Sequence, residues 1–460
     1  MKMNRLRLYL AFLYCIFIIS SCGQEKSTSI QETRKLPNIL FILADDLGWS
    51  QLGCYGGPYS TPNIDQFATE GMLFTQAYTS AAVCSPTRAA LMTGRYPARL
   101  NLTDFIKGDE TPDKPLQQPE WQKFLPLEEV TIAELLKEHG YKTAAFGKWH
   151  LSQEKIPPLS LPFNPDKQGF DEYMVTYKPR KNNDPESDPH NIDAITNRAM
   201  RFLEENKDSS FFLYVSHNAI HDPIMESKQL IQQFEGDSLL WERNIKPTLA
   251  AMVNHLDTGI GRLLKKLNEL GLNENTLVIF YSDNGGKEAY ASQYPFRKGK
   301  GWLYEGGIRV PLLVRFPSKI EAGSQANHVL STIDFFPTIL KSVGLQIPEN
   351  IDGRSFWEVL TGSSQGSDES IQYWHYPHYH RGSGMKPASA LRKGKYKLIA
   401  WHEQLLSGES AYELYDLESD PSEEQNLAEQ LPEVKETLSK ALSEWQKEVN
   451  AQMPILKNIE

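Results

Sequence analysis

The chain has 460 residues, more than one hydrophobic core usually organises, so a large domain with a smaller one beside it is expected. Hydrophobic residues make up 40% and charged residues 23%, which excludes a collagen, a long coiled coil and wholesale disorder. Subtracting 58 acidic from 48 basic residues leaves −10; nucleic acid is a poor partner for that charge, and a polyanionic substrate needs a local basic pocket.

In chain order, the first predicted element is an export signal. Lys2, Arg5 and Arg7 precede an apolar run at 8–19 that is shorter than the roughly 20 residues needed to span a bilayer. The run ends in Ile19, Ser20, Ser21 and Cys22, which resembles a bacterial lipobox. That resemblance implies a signal peptide at 1–21, acylation of Cys22, a polar tether at 22–36, and an exported lipoprotein facing the periplasm or anchored in the outer membrane. A plain signal peptide is the alternative. Cys54 and Cys84 then remain in the mature chain; they pair as a disulfide or Cys84 has another fate.

Residues 38–44 (NILFILA) form a short apolar run that ends in Asp45 and Asp46, the pattern of a buried strand with carboxylates at its end. Three later runs repeat it. Residues 143–146 lead into Lys148 and His150, 211–216 into His217 and His221, and 277–282 into Asp283 and Asn284. Helical spacing is predicted at 131–139, 193–205 and 246–270 between them. Strands alternating with helices imply a largely parallel sheet covered on both faces, and ligands bind such sheets beyond the carboxyl ends of the strands. Four distant segments should therefore converge on one pocket.

Residues 84–88 read Cys, Ser, Pro, Thr, Arg. Ser85 is expected to cap a helix with Pro86 in its first position and Gly94 at its far end. Cys84 would then stand at a positive helix end with Arg88 on the same side, an anion site with a candidate nucleophile.

Cys-x-Pro-x-Arg followed by Leu91, Met92, Thr93, Gly94 and Arg95 resembles the signature of the formylglycine-dependent (type I) sulfatases. The resemblance runs in order from Pro37 to about Ala428. It implies an alkaline-phosphatase-like α/β fold: a large mixed, mostly parallel sheet flanked by helices over 37–365, and a smaller C-terminal α+β domain, an antiparallel sheet plus a helix, over 366–460. It also implies oxidation of Cys84 to formylglycine by a maturation enzyme encoded elsewhere. Asp45, Asp46, Asp283, Asn284 and the modified Cys84 match the metal site; Arg88, Lys148, His150, His221 and Lys300 match the other catalytic positions. In the reaction so implied, one hydroxyl of the aldehyde hydrate attacks sulfur, Asp283 helps remove its proton and His221 protonates the departing alcohol. The second hydroxyl then loses its proton with help from His150 and expels sulfate. The oxygen-only donors suit Ca²⁺, with Mg²⁺ second.

The function expected is hydrolysis of sulfate esters on carbohydrates, such as oligosaccharides from ulvan, carrageenan or glycosaminoglycans. A metal-dependent phosphatase or phosphodiesterase on the same sheet is one alternative, and a non-catalytic carbohydrate-binding lipoprotein another. Substrate contacts are sought in two places. Residues 178–190 are basic and then acidic, with Arg180 and Lys181 as candidates. Residues 372–381 (QYWHYPHYHR) set His375, His378 and Arg381 among aromatic rings that suit a sugar-binding wall.

Overall fold

A computed structural model describes residues 36–152, 162–179, 188–366, 370–408 and 411–457. The signal peptide, Cys22, Arg180 and Lys181 lie outside them. Among the described residues no helix is long and apolar enough to cross a membrane.

The apolar runs fold as anticipated. The strands of the main sheet are β1 (Asn38–Ala44), β2 (Met72–Phe74), β3 (Lys142–Gly147), β4 (Glu172–Val175), β5 (Phe211–Ser216), β6 (Thr276–Ser282), β7 (Leu312–Arg315) and β8 (Ser324–Ala326), in the order β8-β2-β7-β6-β1-β5-β3-β4. Only β7 runs against its neighbours, β6 and β2. Residues of β1 alternate between two apolar layers: Ile39, Phe41 and Leu43 face one, and Leu40, Ile42 and Ala44 the other. Both faces of the strand are buried, which is why its sequence is continuously apolar rather than alternating.

The expected helices are present as Ile132–Glu138, Ile192–Glu205 and Pro247–Glu269. The Cys-x-Pro-x-Arg helix spans Cys84–Thr93 and ends at Gly94, whose φ of 66° closes the last turn. Its N-cap is Val83 rather than Ser85. Ser85 Oγ instead accepts the Ile106 N–H at 3.1 Å, so the hydroxyl joins the helix to a distant loop.

Toward the C terminus, β9 (Ile371–Tyr376), β10 (Ala388–Lys393), β11 (Tyr396–Trp401) and β12 (Tyr412–Asp416) form an antiparallel sheet. The helix Pro432–Glu448 lays Leu438, Leu442 and Trp445 against Leu391 and Leu398 of that sheet. The two large-sheet layers and this smaller sheet are the α/β architecture that the sequence pattern called for, and it is alkaline-phosphatase-like.

Candidate active site

Strand register brings the four polar endings together. Ala44 pairs with Ser282, Leu43 with Ser216, and Gly147 with Ser216, so β1, β3, β5 and β6 end level with one another. Backbone bonds continue past the strands: Asp283 N–H reaches the Ala44 carbonyl at 3.1 Å, and Lys148 N–H the Ser216 carbonyl at 2.8 Å. Gly147 makes the second approach possible. Its φ is 112°, and a Cβ there would sit 1.8 Å from the Ser216 carbonyl oxygen.

Cys84 is buried at the centre. Its Sγ lies 3.7 Å from Asp45 Oδ1 and 3.5 Å from Lys300 Nζ. Lys148 Nζ donates to Asp45 Oδ2 at 2.8 Å, and Lys300 Nζ to Asp46 Oδ1 at 2.6 Å. Asp46 Oδ1 also accepts Asn284 Nδ2 at 2.9 Å, while Asp46 Oδ2 and Asn284 Oδ1 are buried without a partner. Arg88 is clamped rather than free. Its Nε and Nη2 donate to Asp283 Oδ2 at 2.9 and 2.7 Å, and its Nη1 to the Lys148 carbonyl at 2.9 Å and Ser216 Oγ at 2.5 Å.

Charge sets the protonation states. Burial raises the Cys84 thiol to about 12, with Asp283 adding to the shift, so the unmodified sulfur is a thiol with little nucleophilicity. Burial alone would raise Asp46, but the charges of Lys300 and Lys148 overcome it and hold the carboxyl well below its ordinary range. Burial opposes the charge of Lys148, and Asp45 restores it and carries it above the usual lysine value. His150 is held well below the ordinary imidazole value by burial and then by Lys148. Its Nε2 stands 2.7 Å from the Ile106 carbonyl, which can only accept, so Nε2 carries the proton. Nδ1 is left with its lone pair, buried and without a partner.

The donor chemistry fits a hard divalent ion. Ligand atoms of Asp45, Asp46, Cys84 and His221 lie within 4.8 Å of one another, and the two orphaned oxygens of Asp46 and Asn284 lack the partner that a buried acceptor requires.

The proposed sugar wall is placed differently from the expectation. His375 is buried, with Nδ1 against Ser389 Oγ at 2.7 Å and Nε2 against the Gln452 carbonyl at 2.9 Å. His378 is buried between Thr103 Oγ1 at 2.8 Å and Gln118 Oε1 at 3.1 Å. Arg381 donates to the Glu110 carbonyl and pairs with Asp113. His375 is held by β10 and the chain near Gln452, and His378 is sealed where the turn after β9 packs on residues 103–118, while Arg381 stays exposed at the edge of the same contact; aromatic and basic composition could not reveal that.

Residues absent from the expected set do contribute. Ser216 and Tyr214 hold Arg88; the only hint was a hydroxyl ending an apolar run. Of the 372–381 run, His380 is the histidine that reaches the site, packing on Gly301 next to Lys300: a Cβ on Gly301 would stand 2.7 Å from its Nδ1. Ser383 N–H donates to that Nδ1 at 3.1 Å, which leaves the proton on Nε2. Lys178 Nζ lies 3.5 Å from His221 Nδ1. Cys54 and Cys84 are both free, so the disulfide reading is set aside.

A profile described as sulfatase matches residues 37–345, and one for the C-terminal region of N-sulphoglucosamine sulphohydrolase matches 297–448. The chain is 33% identical over 446 residues to arylsulfatase A from Homo sapiens, covering 85% of this chain and 83% of that protein. It is 29% identical over 525 residues to an N-acetylgalactosamine-6-O-sulfatase from Bacteroides thetaiotaomicron, covering 93% and 96%. Among solved structures, Ps i-CgsB in complex with k-i-k-neocarrahexaose superposes with a TM-score of 0.74 at 28% identity, covering 89% of this chain and 93% of that one.

Proposed function

This chain belongs to the sulfatase family and is a sulfuric ester hydrolase, and from that premise we propose that it removes sulfate from carbohydrates, in particular oligosaccharides of algal polysaccharides or glycosaminoglycans. The Bacteroides relative's name and the oligosaccharide bound by Ps i-CgsB support the carbohydrate class. The observation that carries the reading is the convergence of Arg88, Lys148 and Lys300 with Asp45, Asp46, Asp283 and Asn284 around Cys84.

The family implies a formylglycine and a metal ion. We assign the first to Cys84, made by a separate maturation enzyme, and the second to Ca²⁺, with Mg²⁺ second, held by Asp45, Asp46, Asp283, Asn284 and the modified Cys84. When present, the hydrated aldehyde supplies the attacking hydroxyl and the ion withdraws charge from a sulfate oxygen. The side chains do the rest. Three carboxylates, Asp45, Asp46 and Asp283, are balanced by three cations, Arg88, Lys148 and Lys300. A divalent ion therefore makes the site net positive, ready for an anionic ester. Lys148 and Lys300 hold ammonium groups where charge develops on the transferring group. Arg88 fixes Asp283 beside the nucleophile, and Asp283 helps to take the attacking proton. His150, neutral with Nδ1 unprotonated, accepts the proton released later from the nucleophile. His221 delivers a proton to the departing alcohol.

The test is hydrolysis of an aryl sulfate and an aryl phosphate by enzyme co-expressed with a formylglycine-generating enzyme. The sulfate should be turned over and lost on chelation, the phosphate spared, and peptide mass spectrometry should find formylglycine at residue 84. Full activity with unmodified Cys84 would sink the nucleophile assignment. Two zinc ions per active chain with preference for phosphate would restore the phosphatase reading.

A further inference from the structure

The loop at 103–107 touches both sides of the catalytic centre and is itself gripped by the C-terminal sheet. Ile106 is the junction. Its N–H donates to Ser85 Oγ at 3.1 Å, next to Cys84, and its carbonyl accepts His150 Nε2 at 2.7 Å. Two residues upstream, Asp104 Oδ1 accepts the Phe105 N–H at 2.8 Å and the Tyr376 hydroxyl at 2.8 Å. Thr103 Oγ1 meets His378 Nε2 at 2.8 Å. Tyr376 and Asp104 are both fully buried, so neither bond exchanges readily with water.

We propose that Tyr376 and Asp104 are positioning residues for His150: their hydrogen bond fixes the turn whose Ile106 carbonyl holds the proton on His150 Nε2, leaving Nδ1 free to accept a proton from the nucleophile. The inference rests on the sulfatase reading and on His150 as acceptor. A ring that lost the Ile106 carbonyl could carry its proton on either nitrogen, and only one tautomer can accept at Nδ1. The run 372–381 thus serves the reaction through the 103–107 loop.

The test compares Tyr376→Phe, Asp104→Ala and Asp104→Asn in the full-length, matured enzyme, with formylglycine occupancy measured by mass spectrometry. Tyr376→Phe and Asp104→Ala should lower kcat on a small aryl sulfate by about tenfold or more while KM stays within about twofold. Asp104→Asn keeps Oδ1 as acceptor and should restore most of kcat. In ¹⁵N-histidine-labelled protein, the His150 resonances, identified by their loss in His150→Gln, should show Nε2 protonated in the parent and a mixed pattern in Tyr376→Phe. Wild-type kcat in Tyr376→Phe, a loss confined to KM, or an unchanged His150 tautomer would overturn the proposal. A parent enzyme at full formylglycine occupancy that hydrolyses no sulfate ester would instead overturn the sulfatase reading, and the proposal with it.

Discussion

His221 donates its Nδ1 proton to the Asp222 carbonyl at 2.7 Å and stands with Nε2 3.8 Å from Asp46 Oδ2. Burial, then the charge of Lys300, pushes it down to about 3, so without substrate the ring is neutral and Nε2 is bare. An acid role therefore requires the proton to arrive with the anionic ester, whose charge favours the imidazolium. The demand for that proton depends on the leaving group. His221→Ala should cost kcat on a sugar sulfate at least about tenfold more than on an activated nitrophenyl sulfate, because a phenolate departs without help. Parallel kinetics on the two substrates check this; equal losses would assign His221 to sulfate binding instead.

At the scale of elements, the short helical turn Glu305–Ile308 ties the Lys300 segment to the C-terminal sheet. Lys397 on β11 is wholly buried between Glu305 at 3.0 Å and Glu423 at 2.8 Å. Tyr78 donates to Glu305 Oε2 at 2.6 Å, and Arg309 approaches it at 3.3 Å. Burial would raise Glu305, yet Lys397 and Arg309 hold it down at about 2, while burial pushes Glu423 up to about 7. Removing the shared cation leaves a buried carboxylate uncompensated. Lys397→Met should destabilise the chain by about 3–5 kcal/mol in urea unfolding and lower activity as the Lys300 segment loosens. A loss under about 1 kcal/mol would show that the cluster is dispensable.

On the scale of the whole molecule, the net charge of −10 and the catalytic cluster are separate: the strand ends carry three cations balanced by three carboxylates, which a divalent ion would tip positive. On an anionic polymer such an enzyme would work against a repulsive field, which tethering near the substrate would offset. An anchor at Cys22 would supply the tether, each buried methylene adding about 0.8 kcal/mol. Cells fed a labelled fatty acid should incorporate it into this protein but not into Cys22→Ala, which should appear in the soluble fraction. Equal labelling of both would refute the lipoprotein reading.

The four central strands of the eight-stranded main sheet were legible because burial on both faces leaves no alternation, so 38–44, 143–146, 211–216 and 277–282 announce themselves by composition and the ionisable residues at their ends follow by topology, while the four outer strands, each only three or four residues long, carried no such signal. Asp45, Asp46, Lys148, His221, Asp283 and Asn284 could be picked from the chain for that reason, whereas Cys84 and Arg88 came from the Cys-x-Pro-x-Arg run and Lys300 from the family resemblance alone. What tertiary structure alone decided is where the irregular segments go. Ser85 reads as a cap yet bonds Ile106, and His375 and His378 read as a sugar wall yet are buried, His375 against Ser389 and Gln452 and His378 against Thr103 and Gln118. Local sequence encodes which backbone groups need partners, but the partners of irregular segments lie from 14 to 275 residues away and are set by packing, which no periodicity records.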